Sequence, residues 1–148
     1  MIRSYMAHLP KPILLLSLIL IMSSATASAE LVVVVGNRNS VDSLTAGQVK
    51  ALFLKKHLRY PNGEIATPVN QNEDTRAYAE FSRKALGKDP SQLKSYWSTR
   101  VFSGKGTPPD TVGGDAAVKA LVSHSPSVIG YIDSSQVDNS VKVVFTFK

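Results

Sequence analysis

The sequence predicts an α/β domain, a small mixed sheet packed by about four helices. Three observations carry that reading. Leu31 to Val35 and Val128 to Ile132 are short, almost wholly apolar runs of the kind buried on both faces of a sheet. Between them lie amphipathic stretches opened by N-cap residues. The segments also alternate in the order β-α-β-α-α-α-β-β, which calls for helices layered on a sheet.

Each element has its own signal. The first strand closes at Gly36-Asn37, and the polar loop that follows leads to Thr45 and Gln48, spaced as a capping box. Leu44 and Val49 flank that start as a hydrophobic staple, and Val49, Leu52 and Phe53 share one helical face. Tyr60-Pro61-Asn62-Gly63 is a turn, leading to a strand over Ile65 to Val69 in which Pro68 argues for an edge or a strand end. The next helix turns Tyr78, Phe81 and Ala85 inward and stops at Gly87. Asp89, Pro90 and Gln92 then start another, with Leu93, Tyr96 and Trp97 on its buried side. Ser103 to Gly114 holds too much glycine and proline for regular structure and reads as a functional or mobile loop. A fourth helix runs from about Asp115 with Val118, Leu121 and Val122 on one side until Ser125-Pro126, and Val141 to Phe147 alternates as a last strand with one face exposed.

The chain begins as an export signal does. Arg3 and Lys11 give a basic start, Ile13 to Met22 an apolar run, and Ala27-Ser28-Ala29 an A-x-A cleavage site. That run is far shorter than the about 20 residues that span a bilayer, so no stable membrane insertion is expected after cleavage. Residues 1–29 are thus read as a signal peptide and residues 30–148 as one domain, periplasmic in a bacterium, and the chain has no cysteine. Without residues 1–29 the charge is +4, from 15 basic and 11 acidic residues. The basic residues are spread along the chain, among them Arg59, Arg76, Arg83, Lys84, Arg100 and Lys105. This biases the protein toward small anions or acidic surfaces, and nucleic acid is not expected as a partner.

The marks of common enzymes are missing. There is no G-x-S-x-G, no cysteine nucleophile, no Walker loop and no H-E-x-x-H, so no catalytic residue is assigned and a binding role is expected. His57 and His124 lie far apart, each beside a helix end, with no ligand spacing for a metal and no cofactor motif.

The chemistry instead concentrates in Thr67 to Arg76, TPVNQNEDTR, where a strand passes straight into a helix. Such a junction aims unpaired backbone N–H groups and the positive end of the helix dipole into one volume, which favours an anion. Asn70, Gln71, Asn72, Thr75 and Arg76 add donors, while Glu73 and Asp74 oppose an incoming negative charge. The same ten residues also read as an ordinary polar helix cap. Lys105, between two glycines, has the reach to swing onto a bound anion.

Leu44 to Leu54 (LTAGQVKALFL), Tyr60-Pro61-Asn62-Gly63, Ile65, Pro68-Val69 and the polar loop into Thr75-Arg76 resemble the substrate-binding proteins of phosphate ABC transporters. In that family a segment LTxxQVxxIFxGxxxxWxDG leads to a strand and a donor-rich loop. Gly104-Lys105-Gly106, Val118 to Leu121 and Ile129 to Ile132 are similar to its GKG, AVK and IGYV stretches. The resemblance implies a lobe of the periplasmic-binding-protein fold, type 2, that holds phosphate or another small anion for ABC transport or sensing, with a permease or sensor as partner. It implies Thr75, Arg76 and the helix-start amides as primary contacts, Gln71 and Asn72 in the same loop, and Asn39, Ser40 and Lys105 as secondary contacts. Glu73 or Asp74 would accept the proton of hydrogen phosphate and so reject sulfate. Where the family shows serine-glycine-threonine before its arginine, this chain has Glu73-Asp74-Thr75, and residues 30–148 are roughly half a two-lobed binder. Those departures leave a second expectation: an interaction module that kept the lobe, lost the ligand and docks through Ser103 to Gly114. Oligomeric state is left open.

Overall fold

The computed structural model describes residues 29–148. The predicted signal peptide therefore lies, except for Ala29, outside the described residues. Five strands and four helices follow in the order β1 (Leu31–Gly36), α1 (Ala46–Phe53), β2 (Thr67–Asn70), α2 (Arg76–Leu86), α3 (Pro90–Phe102), β3 (Asp110–Thr111), α4 (Asp115–His124), β4 (Val128–Asp133) and β5 (Val141–Thr146). No helix among the described residues is long and apolar enough to cross a membrane.

The sheet order is β3-β2-β4-β1-β5. β2 runs parallel to both β3 and β4, whereas β1 is antiparallel to β4 and β5. Side chains on a strand alternate between faces, and β1 uses that rule twice over. Val33 and Val35 join Ile129, Tyr131 and Val144 in a core covered by α1, α2 and α3. Val32 and Val34 join Val128 and Ile132 in a second core beneath α4. The result is a three-layer sandwich, with β1 buried on both sides as its unbroken apolar run demands.

Caps act as the sequence spacing predicts. Thr45 and Gln48 close a capping box on α1, as do Asp89 and Gln92 on α3, and Gly87 ends α2 at φ 65°. α1 ends differently. Lys55 sits at φ 53°, its amide on the Leu52 carbonyl and that of Lys56 on Ala51. This is a Schellman motif with lysine where glycine fits more easily.

α4 lies unusually close to the sheet. A Cβ on Gly36 would meet the Val122 carbonyl oxygen at 2.6 Å, and one on Gly130 would run into Val118 Cγ1. Glycine at these two positions lets helix backbone approach strand backbone.

Three expectations need correction. β2 is an inner strand and not an edge, and Pro68 sits instead near its starting end: the Thr67 amide donates to Ser127 on the β4 side. The Pro68 nitrogen therefore faces the other side, where β3 has not yet begun, because β3 pairs only with Val69 and Asn70. Within the 103–114 loop, Asp110 and Thr111 form that strand, since the Val112 amide reaches the Asn70 carbonyl and lays the segment along β2. Leu121 is 38% exposed, because α4 meets the sheet along the narrow Val118–Val122 line.

Candidate anion-binding site

α2 begins where β2 ends, and α4 begins just past β3. Both helix starts therefore gather at the carboxyl ends of parallel strands, with α2 and α4 on opposite faces of the sheet. Ligand sites of open α/β sheets form at such a place. The junction is tied together by backbone bonds, Asn72 N to Gly113 O at 2.8 Å and Val112 N to Asn70 O at 3.0 Å. Thr75 caps α2: its hydroxyl donates to the Asn72 carbonyl at 2.8 Å and accepts from Tyr78 N at 3.1 Å. The cap of α4 is Gly114, which supplies no side-chain acceptor.

Between the two starts lies a hollow of about 270 Å³, lined by Gln71, Thr75, Arg76, Ala77, Gly114 and Asp115, with Glu80 and Asp133 at its wall and Ala29 and Leu31 beside it. The first amides of each helix have no acceptor within their own helix, by the geometry of the i to i−4 ladder. Arg76 is exposed at the rim.

Behind the hollow stands a buried polar frame. Gln71 is 1% exposed and donates through Nε2 to Asp115 Oδ1 at 2.6 Å and to the Tyr131 carbonyl at 2.9 Å. The Tyr131 hydroxyl accepts from the Gln71 amide at 3.1 Å and donates to Asn70 Oδ1 at 3.3 Å. Its ring stacks on Phe81 with centroids 3.9 Å apart. Burial pushes the Tyr131 phenol well above its ordinary pKa, in spite of the Gln71 amide hydrogen bond. Tyr78 is also raised, by burial and then by the negative charge of Glu73.

Among the residues expected at the site, Gln71, Thr75 and Arg76 meet on the hollow. Thr75 spends its hydroxyl on the cap, and Gln71 spends its amide group on Asp115 and Tyr131. The Asn72 side chain and Asp74 are exposed in the same loop and line no part of the hollow.

Asn39 and Ser40 are not brought there. β1 is antiparallel to β4, so the turn after β1 falls at the amino end of β2 and β4, the far end of the sheet. There Asn39 is buried, donating to Pro126 O and accepting from Val41 N, and Ser40 accepts from Asn62. Lys105 lies along the outer side of α3 with Ser95, Thr99 and Ser103.

The expected proton acceptors move too. Glu73 faces a separate groove, and the carboxylates at the hollow are Glu80, Asp115 and Asp133. Asp115 Oδ1 is engaged by Gln71 and by the Asp133 amide, and Asp133 Oδ1 accepts from Ser135 N. Asp115, Tyr131 and Asp133 escaped the sequence reading. The one signal for Tyr131 was a phenol inside the otherwise apolar VIGYI strand.

That separate groove, of about 490 Å³, runs between α3 and the 103–114 loop, with Tyr78, Trp97, Val101, Phe102, Pro108 and Pro109 in its lining. Phe102 is 96% exposed. No three metal-ligating side chains cluster among the described residues.

No protein-family model and no curated protein sequence matches the chain. Solved structures do. A putative phosphate ABC transporter substrate-binding protein with bound phosphate from Clostridium perfringens superposes with a TM-score of 0.64 at 21% identity, over 78% of this chain and 44% of that one. An ABC-type phosphate transport receptor from Vibrio cholerae gives 0.62 at 19% identity, with 78% and 45% covered. PstS from Borrelia burgdorferi gives 0.59 at 10%, with 78% and 46% covered. The chain thus spans less than half the length of each of these proteins, and what it shares with them is the periplasmic-binding-protein-like fold.

Proposed function

We propose that the protein is a periplasmic solute-binding protein, released by cleavage after Ala29, which holds a small protonated oxyanion between the starts of α2 and α4. Hydrogen phosphate is the first choice. The observation that carries the proposal is the convergence of two helix starts on one hollow, one of them without a capping side chain, with Arg76 at the rim. Backbone amides and the positive ends of two helix dipoles then supply the attraction.

The carboxylates at the wall select the anion. Asp133 repels a fully deprotonated dianion such as sulfate, and Glu80, ion-paired with Lys84 at 2.9 Å, does so less, whereas hydrogen phosphate donates its proton to a carboxylate. In this reading Thr75 and Gln71 shape the site, and Arg76 with the first amides of both helices makes contact. An ABC permease or a sensor is the partner that reads the loaded state.

Calorimetry with phosphate and sulfate, together with thermal melting, is the test. Phosphate at millimolar concentration releases heat and raises Tm, sulfate does neither, and Arg76→Gln weakens the phosphate response at least tenfold. Ligand at 100 times its dissociation constant stabilises the folded protein by about 2.7 kcal/mol, which a melting curve resolves easily. Absence of both heat and Tm shift removes the proposal.

One observation favours a second reading, an interaction module with no ligand. The apolar groove under the 103–114 loop leaves Phe102 almost wholly uncovered and Val101 52% exposed. In that case Phe102→Ser abolishes capture of a sensor or envelope protein while the melting curve stays unchanged, and undiminished capture rejects it.

A further inference from the structure

The far end of the sheet carries a feature that the anion site does not use. Chain segment 57–66 forms a tight hairpin: Arg59 and Ile65 are antiparallel partners, Tyr60 N bonds Glu64 O at 2.8 Å, and Ala66 N bonds Leu58 O at 2.9 Å. Tyr60 fixes it to the body, being 1% exposed with its hydroxyl on the Ser127 carbonyl at 2.8 Å.

On the outside, Lys55, Lys56, His57, Leu58, Arg59 and Ile65 line one shallow depression. Directly paired residues on antiparallel strands project from the same face, so Arg59 and Ile65 stand side by side. Ile65 is 61% and Leu58 41% exposed. Among the described residues the ion pairs use Lys84, Lys119 and Lys142, and none uses Lys55, Lys56 or Arg59. Acids are few here: Glu64 is exposed on the hairpin, and Asp42 is ion-paired with Lys142.

We infer that this hairpin is a docking surface for an anionic phospholipid bilayer. The reading is independent of the anion site. Three cations spread over a firm surface suit a sheet of negative headgroups better than a single anion, which needs donors converging on one point. Aliphatic side chains beside them gain free energy only where an apolar phase is in reach, as at the headgroup boundary of a membrane and not along a nucleic acid backbone.

Polarity along the sheet adds orientation. Glu73, Asp74, Asp115 and Asp133 lie at the opposite end and are repelled by the same surface. Bound this way, the protein turns its hollow away from the lipid.

Vesicle flotation tests this with protein expressed from the full sequence and purified after export, so that every variant is processed alike. Vesicles mixing phosphatidylglycerol with phosphatidylcholine should carry the protein at low ionic strength, release it as salt rises, and fail to carry it when made of phosphatidylcholine alone. K55Q/K56Q should lower partitioning about fivefold per charge, roughly 25-fold for the pair. The charge-matched pair K94Q/K105Q, outside the depression and the hollow, should change it less than twofold, and I65S should lower it severalfold. Lys55→Gly removes one charge at a position glycine fits, which separates lost binding from lost folding. Equal loss in both charge pairs, equal binding to neutral vesicles, or retention by duplex DNA without vesicle binding would overturn the assignment.

Discussion

The two ends of the sheet are built from the same materials and come out opposite in character. At the carboxyl end of β2 a strand runs straight into a helix, amides point outward, and the neighbouring side chains are acids. At the amino end the chain arrives through a hairpin, the Tyr60 and Ala66 amides are taken by cross-strand bonds, and the side chains around the depression are basic or aliphatic. Each end is fastened by one buried tyrosine whose hydroxyl reaches backbone: Tyr131 holds the Gln71 amide, and Tyr60 holds the Ser127 carbonyl. Helix starts at one end and a hairpin at the other are thus consequences of strand direction, since only the carboxyl ends of β2 and β3 lead into helix starts.

Substitutions that separate the ends test this contrast, and the largest effect belongs to what they share. Gly130→Ala forces a methyl into Val118, and overpacking of this kind costs about 1–3 kcal/mol. Because α4 braces both ends, urea unfolding should show a lower midpoint with anion and vesicle binding weakened together.

The two tyrosines come next. Tyr131→Phe leaves the Gln71 amide and Asn70 Oδ1 without their buried partner, a loss of about 1–3 kcal/mol, and should impair phosphate binding while vesicle binding is retained. Tyr60→Phe should do the reverse at similar or smaller cost in the same denaturation assay. If either substitution disables both activities equally, the ends are not independent.

Alkali acts on both tyrosines at once. Their folded pKa values are raised, mainly by burial, so the stability that each buried phenol contributes is complete below its unfolded value of 10.0. As pH climbs past 10 the unfolded chain releases protons that the folded chain keeps, and stability falls by about 1.4 kcal/mol per pH unit for each phenol. A pH series of melting curves should bend downward near pH 10, with a shallower slope in either Tyr→Phe variant.

The smallest effect is a gain. Lys55→Gly relieves a left-handed lysine and should raise stability by up to about 1 kcal/mol while weakening vesicle binding. A fall in Tm would show that Lys55 is held in place by contacts of its own.

Local signals were legible in the order of residues wherever the physics is local. Thr45 with Gln48, Asp89 with Gln92, and Gly87 each set a helix boundary through bonds spanning a few positions, and those boundaries hold. Half the site loop was legible for the same reason, because Thr75 and Arg76 open α2. Asn39 and Ser40 went astray because spacing says nothing about which end of a sheet a turn occupies; antiparallel pairing of β1 with β4 decides that. Asp115 and Asp133 lie 44 and 62 positions from Gln71 along the chain, and no periodicity connects such distances. The basic cluster escaped the sequence reading, which took the positive residues as spread along the chain, and a linear run does not reveal that Ile65 returns beside Arg59.

What the sequence settled alone is the set of elements apart from β3: apolar runs long enough to be buried, helices bounded by their own caps, and an α/β order of the two. Tertiary structure decided which strand faces which way, and with that where amides, acids and cations collect. The reason is energetic. Helices and caps are stabilised by contacts between near neighbours, so each stretch carries its own instructions. Strand direction is fixed by burying two valine faces of β1 between α4 and the other three helices, a choice made by the whole core at once.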